Sequence, residues 1–263
     1  MNTPKISIIT PSFNQVDFLE RTLLSVLEQD YPNIEYIVID GGSTDGSVEL
    51  IKKYESRLAY WVSEKDRGQA HAINKGLERA TGDWVAWQNS DDTYYPGTFS
   101  QLAAVAQSNR SAQLIVGNMN LVDQHDQLLR EMKYVKPSYR SLLAEGMVLT
   151  NQAAFWRRSL HQEIGLLSET FDCSFDYEWF LRLLAHTDQS HHVNAVWGAL
   201  RLHENTKTSN RQDVFDEEYH QILAGRKPSA LDKRYHQFRR MCLMLAQGEL
   251  RYVLRGLASR MNR

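Results

Sequence analysis

The sequence predicts an α/β protein: a mixed, mainly parallel sheet with helices on both faces, followed by a C-terminal helical extension. Three observations lead there. Short apolar runs alternate with stretches of helical periodicity through the first hundred residues. Polar residues collect directly after the apolar runs, where open parallel sheets bind ligands. Beyond about residue 210 the strand pattern stops and a basic helical pattern replaces it, which divides the chain into a unit at 1–210 and an extension at 211–263.

The elements follow in order. Ile6–Thr10 is an apolar strand run, and Val16–Leu27 carries apolar residues at helical spacing. Tyr36–Asp40 is a second buried strand, followed by Gly41-Gly42 and a helix from about Ser47 to Tyr54. Leu58–Val62 reads as a third strand, Ala70–Ala80 as a helix that Gly82 stops, and Trp84–Trp87 as a fourth strand; Pro96 opens another helix. Leu114–Asn118, a hairpin segment over Leu121–Arg130, Ala153–Trp156 and Val193–Leu202 supply the remaining strands, with Tyr177–Leu184 helical among them. This half is expected to complete the sheet and build the second side of a cleft.

Composition narrows the function. A chain of 263 residues can bury the core of one large domain. A formal charge of −2 gives no reason to expect nucleic acid as a partner. No apolar run reaches the length of a membrane span. Met1–Lys5 leads straight into a strand and reads as lacking a signal peptide. Cys173 and Cys242 fit no zinc or disulfide spacing, which agrees with a reducing cytoplasm; Cys173 reads as a small apolar residue.

Five constellations could carry chemistry, and each has a plainer reading. Asp40–Gly46 places a carboxylate at a strand end, suited to a base edge or ribose; it equally suits a turn and helix cap. In Asn89-Ser90-Asp91-Asp92, clustered carboxylates suit a hard divalent cation shared with phosphates, or an N-cap cluster for the helix at Pro96. Glu64–Ala70 offers Arg67 to a phosphate and Gly68 for close backbone approach, or is a charged surface loop. Asp176 and Glu178 open a helix on different faces, so one can serve a cleft as general base while both also favour the helix dipole. His203, after Arg201-Leu202, suits a metal shell or an ordinary surface or core position.

Taken in order, these segments resemble glycosyltransferase family 2 of the GT-A, Rossmann-like fold, in its bacterial surface-polysaccharide branch. The opening Ile8–Asn14, Asp40–Gly46, Gly68–Gly76, Thr81-Gly82-Asp83 and Asn89–Asp92 are similar to the family's donor half; Asn151–Phe155, Asp176-Tyr177-Glu178 and Arg201-Leu202-His203 are similar to its acceptor half. The resemblance covers roughly 4–210. It implies an inverting transfer from a nucleotide-diphosphate sugar, a UDP-sugar, to a hydroxyl of a glycan or lipid-linked glycan. It also implies Mn²⁺ or Mg²⁺ as cofactor. Donor contacts would come from Pro11, Ser12, Asn14, Asp40, Gly42, Arg67, Gly68, Gln69, Asn89, Ser90 and Asp91. Asp91 and His203 would hold the metal, and Asp176 would be the base. One departure stands out: where the family has Asp-x-Asp this chain has Asn89-Ser90-Asp91, which keeps a carbonyl ligand but loses a charge that Asp92 and His203 could offset.

The residues also bear on two rival functions. A dinucleotide-dependent oxidoreductase needs a glycine-rich turn after the first strand, and Thr10–Gln15 contains no glycine. A catalytically degenerate protein that binds sugar nucleotide or polysaccharide is kept open by Asn89. In the extension, basic residues from Arg226 to Arg263 face only Asp232 and Glu249, interleaved with Met241, Leu243–Leu245, Leu250, Val253, Leu254 and Leu257. Such a helix suits an anionic membrane surface, at the cytoplasmic face, or packing on the catalytic unit with a solvated basic side.

Overall fold

The apolar runs of the N-terminal half become buried strands because helices cover both faces of the sheet. In the computed structural model, which describes residues 3–204 and 206–261, β1 (Ile6–Ser12) is buried at every position and β2 (Ile34–Asp40) at all but the first. The side chains of 208, 209 and 257–261 fall outside the described set. Arg263 and the side chains of Leu257 and Arg260, from the basic C-terminal run, therefore lie outside it too.

Between β1 and β2 runs α1 (Val16–Leu27), whose Leu19, Thr22, Leu23 and Val26 face the core. Then come α2 (Ser47–Tyr54), β3 (Tyr60–Ser63), α3 (Gln69–Arg79) and β4 (Trp84–Trp87). β3, β2, β1 and β4 lie side by side and parallel. α3 packs so closely on β1 that a Cβ on Gly76 would overlap Ile9, so a side chain there would push helix and strand apart.

The second half joins across β4. β5 (Thr93–Tyr94) and α4 (Thr98–Ser108) lead to β6 (Leu114–Val122), which turns at 123–127 into β7 (Leu128–Met132). The expected break between a strand at 114–118 and a hairpin does not occur. β6 runs on to Val122 because it is paired on both sides, with β9 (Ser190–Arg201) parallel and β7 antiparallel. Between β7 and β9 lie α5 (Tyr139–Glu145), β8 (Ala154–Arg157), α6 (Arg158–Ile164) and α7 (Phe175–His186). The sheet order is β3-β2-β1-β4-β8-β6-β9-β5, with β7 on β6. Helices α8 (Lys207–Asn210), α9 (Gln212–Ile222), α10 (Ala230–Ala246) and α11 (Leu250–Met261) follow. Ile222 and Leu223 join the main core, so α9 packs on the sheet-bearing body.

An aromatic cluster joins α7 to the sheet. Trp87 at the end of β4 touches Trp156 (5.3 Å between ring centroids), Trp179 (5.9 Å) and Phe180 (5.8 Å). Offset and edge contacts of this kind add to the burial of large apolar area.

A polar network fastens the opposite ends of β1 and β2. Glu35 accepts from Lys5 Nζ (2.6 Å), Ser7 Oγ (2.5 Å), and the backbone N–H (2.7 Å) and hydroxyl (2.6 Å) of Thr81. Burial raises its pKa, but these donors outweigh it and bring the group down to about 2. A depressed carboxylate stabilises the fold fully above its unfolded value and loses that contribution as pH falls toward its folded value. Glu35→Gln is expected to cost roughly 2–3 kcal/mol at neutral pH. The wild-type protein should lose the same increment between about pH 4.5 and 2; urea melts of both proteins across this range check it.

Candidate active site

The parallel register sets Ser12 beside Asp40 and Ile9 beside Trp87, so the segments after β1, β2 and β4 emerge at one edge of the sheet. They open on a cleft of about 890 Å³. Pro11, Ser12, Gly68, Gln69, Asn89, Ser90, Asp91 and Asp176, all singled out from the sequence, line it. Asn14, Asp40, Gly42, Arg67 and His203 stand behind or beside that lining.

The Asp40 loop is held from within. The buried Asp40 carboxylate accepts from the N–H of Gly42 (3.0 Å) and Ser43 (2.9 Å) and from the hydroxyls of Ser43 (2.5 Å) and Ser63 (2.6 Å). Gly42, at φ +86°, permits this tight turn. Asn14, itself at φ 51°, accepts from the Thr44 N–H (3.0 Å) and donates its own backbone N–H to Ser43 Oγ (2.8 Å). Asp45 caps both neighbouring helices through the N–H groups of Val16 and Ser47. This loop packs behind the lining, since Gly41 lies against Phe13 and Asp66, which do line the cleft. Arg67 makes a two-pronged ion pair with Glu169 (2.8 and 3.0 Å), tying the loop before α3 to the loop before α7.

The segment after β4 is a knot. Asp92 is buried and accepts from the Arg201 N–H (2.9 Å), Gln152 Nε2 (2.7 Å) and Asn89 Nδ2 (2.9 Å). Burial and the adjacent Asp91 carboxylate push Asp92 above the usual carboxylate range, against these three donors. Asn89 also accepts from Gln69 Nε2 (2.8 Å), so its amide bridges Gln69 and Asp92. An aspartate in its place would turn a second acceptor on Asp92. Asn89 and Asp92 are thereby engaged with protein partners, whereas Asp91 is the carboxylate of the segment that meets His203, at 3.1 Å from Nε2. His203 is wedged against the Phe18 ring, 4.2 Å between centroids. Arg201 donates Nε to the Asp91 carbonyl (2.8 Å) and Nη1 to Asp126 (2.5 Å).

Do these residues fit a metal? Among the described residues no group of three or more His, Cys, Asp or Glu side chains is gathered to hold one. The Asp91–His203 pair offers two donors. That number fits a hard cation that takes its other ligands from a diphosphate and water rather than from a protein cage.

Asp176, which lines the same cleft, occupies the first turn of α7, where its carboxylate accepts the Tyr177 N–H (2.7 Å). Burial pushes it up to about 6, against that hydrogen bond, with the charge of Glu218 adding to the rise. Glu178 points away, as the spacing requires, and is paired with Arg182 (2.7 Å) rather than solvated. Sequence reasoning did not single out Gln152 or Arg201 individually, although both stand in segments it marked. The same holds for Asp66 in Glu64–Ala70, whereas Phe215, Tyr219 and Glu218 were missed; these three come from α9, which carries no local motif.

A family profile described as glycosyl transferase family 2 matches residues 7–165. An uncharacterized glycosyltransferase of Mycobacterium tuberculosis is 35% identical over 184 residues, 69% of each chain. TuaG of Bacillus subtilis, named for teichuronic acid biosynthesis, is 44% identical over 94 residues, 35% of this chain and 37% of its own. Among solved structures, S. aureus TarS 1–349 in complex with UDP-GlcNAc superposes with a TM-score of 0.69 at 18% identity, covering 88% of this chain and 69% of that one. This chain covers 41% of the longer TarS chain. A mannosyltransferase from Pyrobaculum calidifontis in complex with GDP-Man and Mn²⁺ gives 0.65 at 18% identity, covering 100% of this chain and 81% of that one. At such identity these structures show a shared fold, GT-A.

Proposed function

The chain is a member of glycosyl transferase family 2, and we propose that it transfers a sugar, with inversion, from a UDP-sugar to a hydroxyl of a glycan or lipid-linked glycan in surface-polysaccharide synthesis. The observation that carries this reading is one cleft with the Asp91–His203 pair at the strand ends and a raised-pKa Asp176 in its lining. The UDP-GlcNAc complex of TarS and the name of TuaG support the donor and acceptor classes. We place the catalytic unit at 1–210 and treat 211–263 as a helical extension.

In this reading Asp40, Gly42 and Asn14 back the lining that takes the nucleotide. Pro11, Ser12, Gly68, Gln69, Asn89 and Ser90 line the donor's bed, and Arg67 lies at its edge toward the diphosphate. Asp91 and His203 hold Mn²⁺ or Mg²⁺, which when bound supplies positive charge to the departing diphosphate. Asp176 takes the proton of the acceptor hydroxyl as that oxygen bonds to the sugar's anomeric carbon. The carbon–oxygen bond to the diphosphate breaks, its electron pair leaves with the phosphate, and one displacement inverts the carbon.

We also propose peripheral contact with an anionic membrane at the cytoplasmic face. Among the described residues no helix is long and apolar enough to cross a membrane. The inner side of α10 packs on the body through Met244 and an Arg240–Glu145 pair, while Leu231, Tyr235, Phe238 and Leu245 form an exposed stripe at helical spacing. Arg234 and Arg239 stand at its two edges on the helix. An apolar stripe edged by cations suits a headgroup boundary. The protein should sediment with anionic vesicles at low salt and leave them at high salt, and a Tyr235→Ser/Phe238→Ser variant should not sediment. Equal sedimentation of both proteins would contradict this contact.

The catalytic reading is tested at the base. Asp176→Asn is expected to lower turnover by roughly 10²–10⁴-fold, typical of a lost general base, with donor affinity retained. Because the base must be ionised, wild-type kcat/KM should fall as pH drops through about 6. Full turnover in Asp176→Asn, or a flat acid limb, would remove Asp176 from the role.

A further inference from the structure

The helix that carries Asp176 has no cap of its own. Ser174, its N-cap residue, makes no side-chain capping hydrogen bond. The amides of the segment that leads into it are met from another helix. Glu218 on α9, 8% exposed, accepts the backbone N–H groups of Asp172 (2.7 Å), Cys173 (2.9 Å) and Ser174 (2.7 Å). Three consecutive amides on one carboxylate form a concave anion site, which also compensates the burial of the charge. The next residue, Tyr219, lays its ring on Tyr177, 5.0 Å between centroids. Asp172 is held in turn by Lys207 (2.8 Å) and Arg211 (3.0 Å). Thus the segments on both sides of Asp176 are gripped from beyond residue 203.

We infer that Glu218 is a positioning residue for the transfer step: it fixes the backbone that enters α7 so that the Asp176 carboxylate projects into the cleft. The inference rests on Asp176 being the base. Glu218 also acts on Asp176 through its charge. Its charge adds to the burial that raises Asp176, whereas Lys207 opposes it.

Glu218→Gln keeps the shape of the side chain and removes its charge. Turnover is expected to fall roughly 10- to 100-fold, as for a misplaced catalytic group. Calorimetric affinity for UDP-GlcNAc should stay within about twofold, and the acid limb of kcat/KM should move to lower pH. Wild-type turnover with an unmoved acid limb would overturn the inference, as would donor affinity falling in step with turnover. Should Glu218→Gln not accumulate folded, Glu218→Asp decides. It keeps the charge on a shorter arm, so reduced turnover with unchanged donor affinity supports the role and wild-type turnover overturns it. Asp176→Asn separates the two readings. If that variant stays active the base assignment has failed; if it is inactive while Glu218→Gln is normal, only the positioning role has failed.

Discussion

The buried carboxylate of Asp92 is the constraint on which the cleft depends. A carboxyl taken out of water is costly unless donors replace its hydration, and burial with the neighbouring Asp91 raises the pKa of Asp92. Here the donors are the backbone of Arg201 on β9, the side chain of Gln152 before β8, and Asn89 in its own loop. One group therefore ties the end of β4, where the parallel half of the sheet finishes, to two segments of the second half. Gly198 belongs to the same arrangement, because a Cβ there would overlap the carbonyl oxygen of Gln152. With Asp92 turned inward, Asp91 is left at the cleft, its backbone carbonyl held by Arg201 and its side chain against His203.

The rest of the site is arranged around that tie. α1 is pinned to it, since Thr22 Oγ1 donates to the carbonyls of Ser90 (2.9 Å) and Asp92 (2.7 Å). α7 is held from below by the Trp87 cluster and at its entry by Glu218. Two carboxylates consequently face one cavity in different surroundings. Asp91 sits beside a histidine in a polar knot, and Asp176 sits in a desolvated pocket wall where burial and the charge of Glu218 raise its proton affinity. Placing acid–base and charge-stabilising groups in unlike environments is how one site can carry both roles at one pH.

Much of this was legible in the residues. β1, α1, β2, α2, β4 and α7 were found within a few residues of their ends, because strands buried on both faces and helices with one apolar face leave strong periodicity. α5 and α6 were not found; at seven residues each they span too few turns for a period to show. The direction a strand-end polar group faces was not legible either. Asp40 and Asn14 carry the chemistry of ligand contacts, yet their polar atoms are spent on the loop that carries them. Nor does spacing reveal that Asn89 bridges two side chains, or that Glu218 reaches Ser174 across 44 positions of the chain. Those contacts are set by how helices dock, which no local pattern encodes.

The central claim is that the Asp91–His203 end of the cleft binds a nucleotide-diphosphate sugar together with a divalent cation. Isothermal titration of UDP-GlcNAc and GDP-mannose, with Mn²⁺ and with chelator, into wild-type protein and Asp91→Ala tests it most directly. The expected result is one-site binding of one donor that needs Mn²⁺ and weakens at least about tenfold in Asp91→Ala, the loss of roughly 1.4 kcal/mol or more of binding energy. Donor binding that is equally tight in chelator and in Asp91→Ala would contradict the account.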